Sequence, residues 1–487
     1  MFAAIRKNRE LQLLLGIVLA GLGLRLFGIE HGFPFIFHPD EPAVVRSALG
    51  IRFEANPGHF DWPHLNFYLN YFLYFLFIKA RGLAQVLGLR TVMAAKLPLL
   101  WQDPLVFYWL SRVFAAFLGA LTAIPIFLAG RKLFDRRVGL LAALALALLP
   151  FHVHTSHFAL IDVPTAFWIS WGLYFSVLAY KAASWKNYAL AGLFTGLAAS
   201  SKYNGGLAVV TVLVAYLLSG NRLKNLKYLI LAGVTSAIGF FLGTPYALLD
   251  FDTFTRSDSP VGALWQFQNV GNVDFSTHMT QLFQTLTFRF ASDFGYVFLA
   301  LFLIFAIYTL FKKDKRNWLI LLPALFLFYY ISGFDKLRSH YIMPTYPFVA
   351  LSVGIILAAL LEKISQRIRW LVVVIIFSLP LYLSFQNALF LHRKDTRVVL
   401  YDWLSTNVDI TDTIVYNSSS IEPVVQEISK DRSTKGISDK NLSGKKGYII
   451  VYGSEALEGY EKVFGVSPAG RRGEDVSVYA FNKTEEI

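Results

Sequence analysis

Apolar runs of bilayer-spanning length, separated by short clusters of Lys and Arg, constrain this chain more than any other feature. A spanning helix needs about 20 apolar residues at a rise of about 1.5 Å each. Runs of roughly that size, some shorter, lie at residues 11–29, 104–130, 138–150, 163–180, 188–200, 205–218, 228–248, 294–311, 318–331, 343–361 and 370–390. Between them fall Arg6-Lys7-Arg9, Arg131-Lys132 with Arg136-Arg137, Lys181 with Lys186, Arg222-Lys224-Lys227, Lys312-Lys313-Lys315-Arg316, and Lys363-Arg367-Arg369. Short basic loops are held on the cytoplasmic side. With about 11 transmembrane helices, the N-terminus inside and the C-terminus outside, every cluster lands on that side. The first run has no small-residue cleavage site after it and is expected to be a retained helix.

Composition agrees. Only 16% of the 487 residues are charged and 55% are apolar, against about 25% charged in soluble domains. The chain is expected to be a mostly α polytopic membrane protein. Its net charge of +13 is distributed as topology, not gathered on one face as in a nucleic-acid binder, so no nucleic-acid partner is expected. Cysteine is absent, which excludes disulfides and thiolate chemistry.

Three segments lie outside the expected spans. Residues 30–103 form a first external loop, in which 65–78 is read as a helix along the outer interface, its Tyr68, Tyr71 and Tyr74 suiting the headgroup zone. Residues 249–292 form a second. Residues 391–487 are mixed in polarity, with strand-like runs at 413–416, 448–452 and 476–481 and a short helix at 398–404. They are expected to form a small α/β extracytoplasmic domain, with 429–446 a flexible loop, leaving 1–390 as the transmembrane catalytic domain.

The informative polar residues share one level, the outer ends of the helices. In Phe37-His38-Pro39-Asp40-Glu41-Pro42 two carboxylates lie between prolines, each of which fixes its own φ and restricts its predecessor. A stiff acidic pair can hold a base or a metal ligand. It can equally be the acidic first turn of a helix, favoured by the helix dipole. His152, His154 and His157 have spacings of two and three, not the i, i+4 pair of a helical zinc site, so zinc is the lesser reading. Asp162 opens an apolar span, where an isolated carboxylate is costly and functional unless it is a helix cap. Ser200-Ser201-Lys202-Tyr203-Asn204 breaks two short runs, as happens where helix ends line a cavity; Lys202 there meets an anion or snorkels to headgroups. Lys336, Arg338 and His340 are cations on the outer side, against the positive-inside bias, and a phosphate is a local reason for them.

Two acidic and two cationic stations fit a lipid-phosphate donor better than a transported ion. A carboxylate deprotonates the acceptor hydroxyl, and cations stabilise charge on the departing phosphate. A transporter or flippase of lipid-linked sugars would share the cations, although the repeated halves common in transporters are not visible. A non-enzymatic scaffold is the third reading.

In order, His38-Pro39-Asp40-Glu41, Leu160-Ile161-Asp162, Ser201-Lys202-Tyr203-Asn204, Thr244-Pro245-Tyr246 with Asp250, and Arg338-Ser339-His340-Tyr341 with Pro344 and Pro347 resemble a known group. It comprises the bacterial relatives of protein O-mannosyltransferases and aminoarabinose transferases, which have the C-type glycosyltransferase fold. The resemblance covers about residues 10–390. It implies inverting transfer from a polyprenyl-phosphate sugar donor to a glycan, lipid or protein acceptor, at the extracytoplasmic face of a bacterial plasma membrane. It implies catalytic roles for Asp40 as base, its neighbour Glu41, and Asp162. Lys202, Lys336, Arg338, His340 and Tyr341 would contact the donor phosphate, and His157, Tyr203 and Tyr246 the substrate. Relatives with monophosphate donors generally work without a metal, so no cofactor is expected to be obligatory and no metal ligand is assigned.

Overall fold

The structure is a computed structural model that describes residues 9–220, 222–409 and 411–483. Arg6 and Lys7 of the first basic cluster lie outside the described residues. The chain divides into two compact units, Met1–Leu26 with Ala43–Asn387, and Phe27–Pro42 with Ala388–Ile487.

In the first unit each expected apolar run is helical, among them Arg9–Leu26, Asp162–Lys181, Trp185–Ser201, Arg222–Gly243 and Tyr346–Glu362. The loops between them supply caps. Asp135 accepts from the backbone N–H groups of Arg137 and Val138, Ser184 from Asn187, and Asp314 from Arg316. Each satisfies a donor that the first helical turn cannot pair internally. Arg222–Gly243 begins six residues before the expected 228, so Arg222, Lys224 and Lys227 are helical. It stops ahead of Pro245, whose ring disfavours helix in its predecessor Thr244.

Among the described residues, four helical stretches are by themselves long and apolar enough to cross a bilayer: Leu105–Leu133, Arg222–Gly243, Ser339–Glu362 and Arg369–His392. A fifth arises if Leu65–Val86 and Arg90–Lys96, which meet at 120°, are one broken span. The other apolar helices fall short of that test, so the crossing number of about 11 remains an expectation. The helix read at 65–78 runs on to Val86.

Helix contact is made through small residues, as in membranes, where close backbone approach and not hydrophobic burial drives association. Gly192 and Gly196 are spaced as GxxxG on Trp185–Ser201. A Cβ on Gly192 would strike the Ala232 carbonyl oxygen, and one on Gly196 the Ser236 carbonyl oxygen, of Arg222–Gly243. On the same helix Leu226, Ile230, Val234, Ile238 and Leu242 are all exposed at every fourth position. Such a stripe is stable against lipid, not water.

The second unit holds a five-stranded sheet of β1 (Thr413–Tyr416), β2 (Ser433–Lys435), β3 (Lys446–Tyr452), β4 (Glu461–Val466) and β5 (Val476–Asn482), ordered β2-β1-β3-β5-β4. β1 is parallel to β2 and β3, and β5 is antiparallel to β3 and β4. Ile414, Ile450 and Val478 pack one face against Val398, Leu400 and Leu404 of helix Thr396–Asn407. The expected loop at 429–446 is instead ordered in part, carrying β2 and the helical turn Asp439–Leu442. Its polar, three-residue strand has no apolar alternation to betray it.

Candidate active site

The site in the first unit is built where helix Trp185–Ser201 ends. Lys202 leaves the helix in an extended conformation (φ −155°, ψ 136°) and a 3-10 turn, Tyr203–Ala208, follows. This is the expected break. Asp162 is the first residue of Asp162–Lys181, whose cap position is Ile161 without a capping side chain. Asp162 is therefore not a cap. Its Oδ1 lies 2.6 Å from Lys202 Nζ, with side-chain exposures of 6% and 15%. The ammonium also sits 4.9 Å from the centre of the Tyr341 ring. Two stations read separately in the sequence thus form one buried ion pair capped by an aromatic face.

A hydrogen-bonded belt fixes that pair. Asn66 Nδ2 donates to the Ser201 carbonyl at 3.1 Å and to Ser201 Oγ at 2.8 Å, and Thr165 Oγ1 donates to Ser201 Oγ at 2.8 Å. Asn204 Nδ2 donates to the Tyr341 carbonyl at 3.2 Å, while its buried Oδ1 has no partner among the described residues.

Lys202, Tyr203, Asn204 and Tyr341 open onto a cavity of about 310 Å³, shared with Asp61 and Trp62 of the first loop and Phe267 of the second. Aromatic and apolar walls around few polar groups are the usual make-up of a ligand site. Tyr203 is held by donating its hydroxyl to the Phe60 carbonyl at 2.7 Å. The first loop is braced in turn. Asp61 pairs with His59, whose Nε2 is 2.9 Å from Ser47 Oγ; His64 Nε2 donates to the His59 carbonyl at 2.8 Å. Burial lowers the His64 ring to about 4, so it is neutral at pH 7. Asn56 Nδ2 donates to Asp250 Oδ2 at 2.8 Å, tying the two loops.

The other expected residues are less central. His340 is half-buried with its ring edge against Tyr341 at 4.7 Å. Lys336 and Arg338 are exposed, and Lys336 Nζ donates to Asn269 Oδ1 at 2.7 Å. Neither lines the cavity. Tyr246 packs in an apolar cluster with Phe60, Ala247 and Tyr203 and does not line the cavity. His157 is fully buried, with Nδ1 2.9 Å from the Val153 carbonyl, and is also away from the lining. Its two companions go elsewhere. His152 Nδ1 meets Arg25 Nη2 at 2.9 Å, and His154 packs on Phe158 at 5.3 Å. Among the described residues no three His, Asp or Glu side chains are placed to hold a metal ion.

Asp40 and Glu41 belong to the second unit. The Asp40 N–H donates to His38 Nδ1 at 3.2 Å. Glu41 is fully buried and opens helix Glu41–Gly50, so it occupies the acidic first turn that was one of the two readings of this pair.

Sequence reasoning missed Asp61 and Asn66 at the site, and, off the cavity lining, the buried Asp293 and its neighbour Arg289. Asp293 is 6% exposed, its Oδ2 has no partner among the described residues, and burial pushes its carboxyl up to about 6. It immediately precedes Phe294-Gly295, the same carboxylate-before-span signal that singled out Asp162. Arg289, on a π-helical turn (Thr285–Arg289), donates to the Leu337 carbonyl at 3.4 Å.

Residues 107–246 match the family described as dolichyl-phosphate-mannose-protein mannosyltransferase. The crystal structure of ArnT from Cupriavidus metallidurans bound to undecaprenyl phosphate superposes with a TM-score of 0.57 at 13% identity, covering 96% of this chain and 97% of that one. This chain has the C-type glycosyltransferase fold. The same fold relates it to the Archaeoglobus fulgidus oligosaccharyltransferase in the apo form (TM-score 0.53, 13% identity, 99% of this chain and 75% of that chain). It also relates it to AglB of that organism in complex with an inhibitory peptide and a dolichol-phosphate (0.52, 14%, 99% and 75%). No curated protein sequence matches. The C-type fold accounts for the two-unit organisation, apolar helices followed by a small C-terminal sheet domain.

Proposed function

We propose that the protein is a membrane glycosyltransferase that moves a monosaccharide from a polyprenyl-phosphate donor to an acceptor hydroxyl, with inversion, on the extracytoplasmic face of a bacterial plasma membrane. The observation that carries this reading is the Lys202 ammonium, held by Asp162 and Tyr341, at the edge of an aromatic-walled cavity. An ammonium in that setting attracts a phosphate, while the walls suit isoprenoid or sugar. The fold relatives with lipid phosphates bound support the same donor class.

In the proposed step the acceptor oxygen attacks the anomeric carbon from the face opposite the phosphate, and Asp40 takes the acceptor proton. The bond between the anomeric carbon and the phosphate oxygen breaks, and its electron pair stays on polyprenyl phosphate, the leaving group. Lys202, with Arg338, His340, Lys336 and Tyr341, stabilises the charge there. Such a monophosphate leaving group is served by these side chains without an obligatory metal. The acceptor is a glycan, lipid or protein hydroxyl.

The test is transfer from radiolabelled polyprenyl-phosphate sugar by purified protein in detergent or liposomes. Donor turnover is expected, with Asp40→Asn lowering kcat at least about 10³-fold, at the strong end of general-base effects, while the protein stays folded. Near-normal turnover in Asp40→Asn would remove the base assignment. Lipid movement across the bilayer without bond cleavage would replace the enzyme by a flippase.

A further inference from the structure

The turn that carries Asp40 is gripped by the C-terminal domain. Phe27–Pro42 is part of the second unit, and its Phe35 is a core residue there, packed with Val398, Leu400 and Leu404 and edge-on to Tyr401 at 4.9 Å. Phe37, three residues before Asp40, lies beneath the Arg397 guanidinium, whose Cζ is 3.5 Å from the ring centre. Arg397 is not free to swing. It makes a two-pronged bond to Asp395, Nε to Oδ1 and Nη2 to Oδ2, both 2.8 Å. Asp395 is itself fully buried and receives a second cation, Arg472 Nε, at 2.9 Å on Oδ2. The main chain locks the same place: Thr396 N–H donates to the Arg472 carbonyl at 2.7 Å and Arg472 N–H to the Lys394 carbonyl at 3.1 Å.

The segment is fitted to this grip. Gly32 has φ +80°, and a Cβ there would meet Arg472 Nη2 at 3.0 Å and Phe37 Cδ2 at 3.1 Å. Phe35 N–H closes the turn onto the Gly32 carbonyl at 2.9 Å. Beyond Phe37 the restraint passes to His38, whose Nδ1 accepts the Asp40 N–H. A buried carboxylate shared by two guanidinium groups is weak as a stabiliser, since apolar side chains of equal volume often serve as well. Its distinctive product is direction: a planar cation fixed over one aromatic face.

We infer that Arg397, fixed by Asp395 and Arg472, is a positioning residue for Asp40, so that the C-terminal domain sets the geometry of the proposed base. This rests on the reading of Asp40 as base. A misplacement of about 1 Å at a reacting group costs roughly 100-fold in rate, which sets the scale.

Arg397→Met leaves Asp395 paired with Arg472, so the domain keeps its buried charge compensated. It is expected to lower kcat roughly 30- to 100-fold with donor KM changed less than about twofold, because the donor cavity is lined by the first unit. Arg397→Lys keeps a cation near Phe37 but loses the planar, two-pronged bond to Asp395, and is expected to recover only part of kcat. Phe37→Leu removes the ring and leaves both ion pairs; combined with Arg397→Met it should cost little more than either alone. Wild-type kcat in Arg397→Met, with Asp40→Asn inactive, overturns the positioning role and spares the base. A loss that falls equally on donor KM and thermal midpoint reduces Arg397 to a structural residue and also overturns it. Activity in Asp40→Asn defeats the underlying reading instead.

Discussion

The Lys202–Asp162 pair gives a quantitative test. At 2.6 Å and an effective dielectric of about 20, the attraction is on the order of 6 kcal/mol, before the desolvation that opposes it. Removing one partner of a buried pair strands the other, at a cost of about 3–5 kcal/mol. Lys202→Met removes the ammonium from beside the 6% exposed Asp162 carboxylate; Asp162→Asn leaves the ammonium against the Tyr341 ring without its carboxylate. Each single variant should lower the thermal midpoint in detergent by several degrees at a fixed scan rate. The double variant should lose less than the sum, with a coupling of up to about 3 kcal/mol. Function should separate from stability. A charge-assisted contact to phosphate is worth roughly 1.5–3 kcal/mol, so both variants lacking Lys202 should raise donor KM about 10- to 150-fold, and the double variant should not recover. Additive losses in midpoint would refute the coupling. Recovery of donor use in the double variant would refute Lys202 as the phosphate partner.

Three further outcomes follow from the geometry. Gly196→Val drives side-chain atoms into the Ser236 carbonyl and should destabilise the helix pair by about 1–3 kcal/mol, while Gly233→Ala, with open space around it, should be neutral in the same melt. Asp293 binds protons more tightly folded, with its carboxyl raised to about 6, than unfolded, where it titrates near 4. Its contribution to stability is thus fully present below about pH 4 and lost as pH rises through about 6. Asp293→Asn should therefore raise the thermal midpoint at pH 7.5 and change it little at pH 4; an equal shift at both would contradict the assignment. Tyr203→Phe removes the bond to the Phe60 carbonyl and should cost about 1 kcal/mol and raise donor KM a few-fold, read in the same transfer assay.

What was legible in the sequence was what hydropathy and charge encode directly. The apolar runs became helices, and 413–416 became β1 with unchanged bounds. Asp162 and Lys202 were singled out because each is a charge at the edge of an apolar run. Their union was not legible, because 40 residues and two helices, Asp162–Lys181 and Trp185–Ser201, separate them, and nothing local reports the 2.6 Å contact. Asn66 and Thr165 were invisible for a related reason: uncharged polar residues inside apolar helices give no composition signal, yet they fix Ser201. The exposure of Lys336 and Arg338 was not legible either, since a bias in charge reports neither depth of burial nor a cavity wall. The strand β4 escaped because its irregular pairing between Lys462 and Phe464 breaks the alternation that would have announced it.

The backbone passes from one compact unit to the other at Leu26/Phe27, returns at Pro42/Ala43, and leaves again at Asn387/Ala388. A protein cut after Asn387 would therefore not be a clean membrane half. It would keep Phe35 and Phe37 stripped of the partners that shelter them, presenting two bare rings to water. Excision or exchange of the second unit, in the laboratory or over evolutionary time, must handle two separate stretches of chain at once, which makes this module harder to trade than a simple tail.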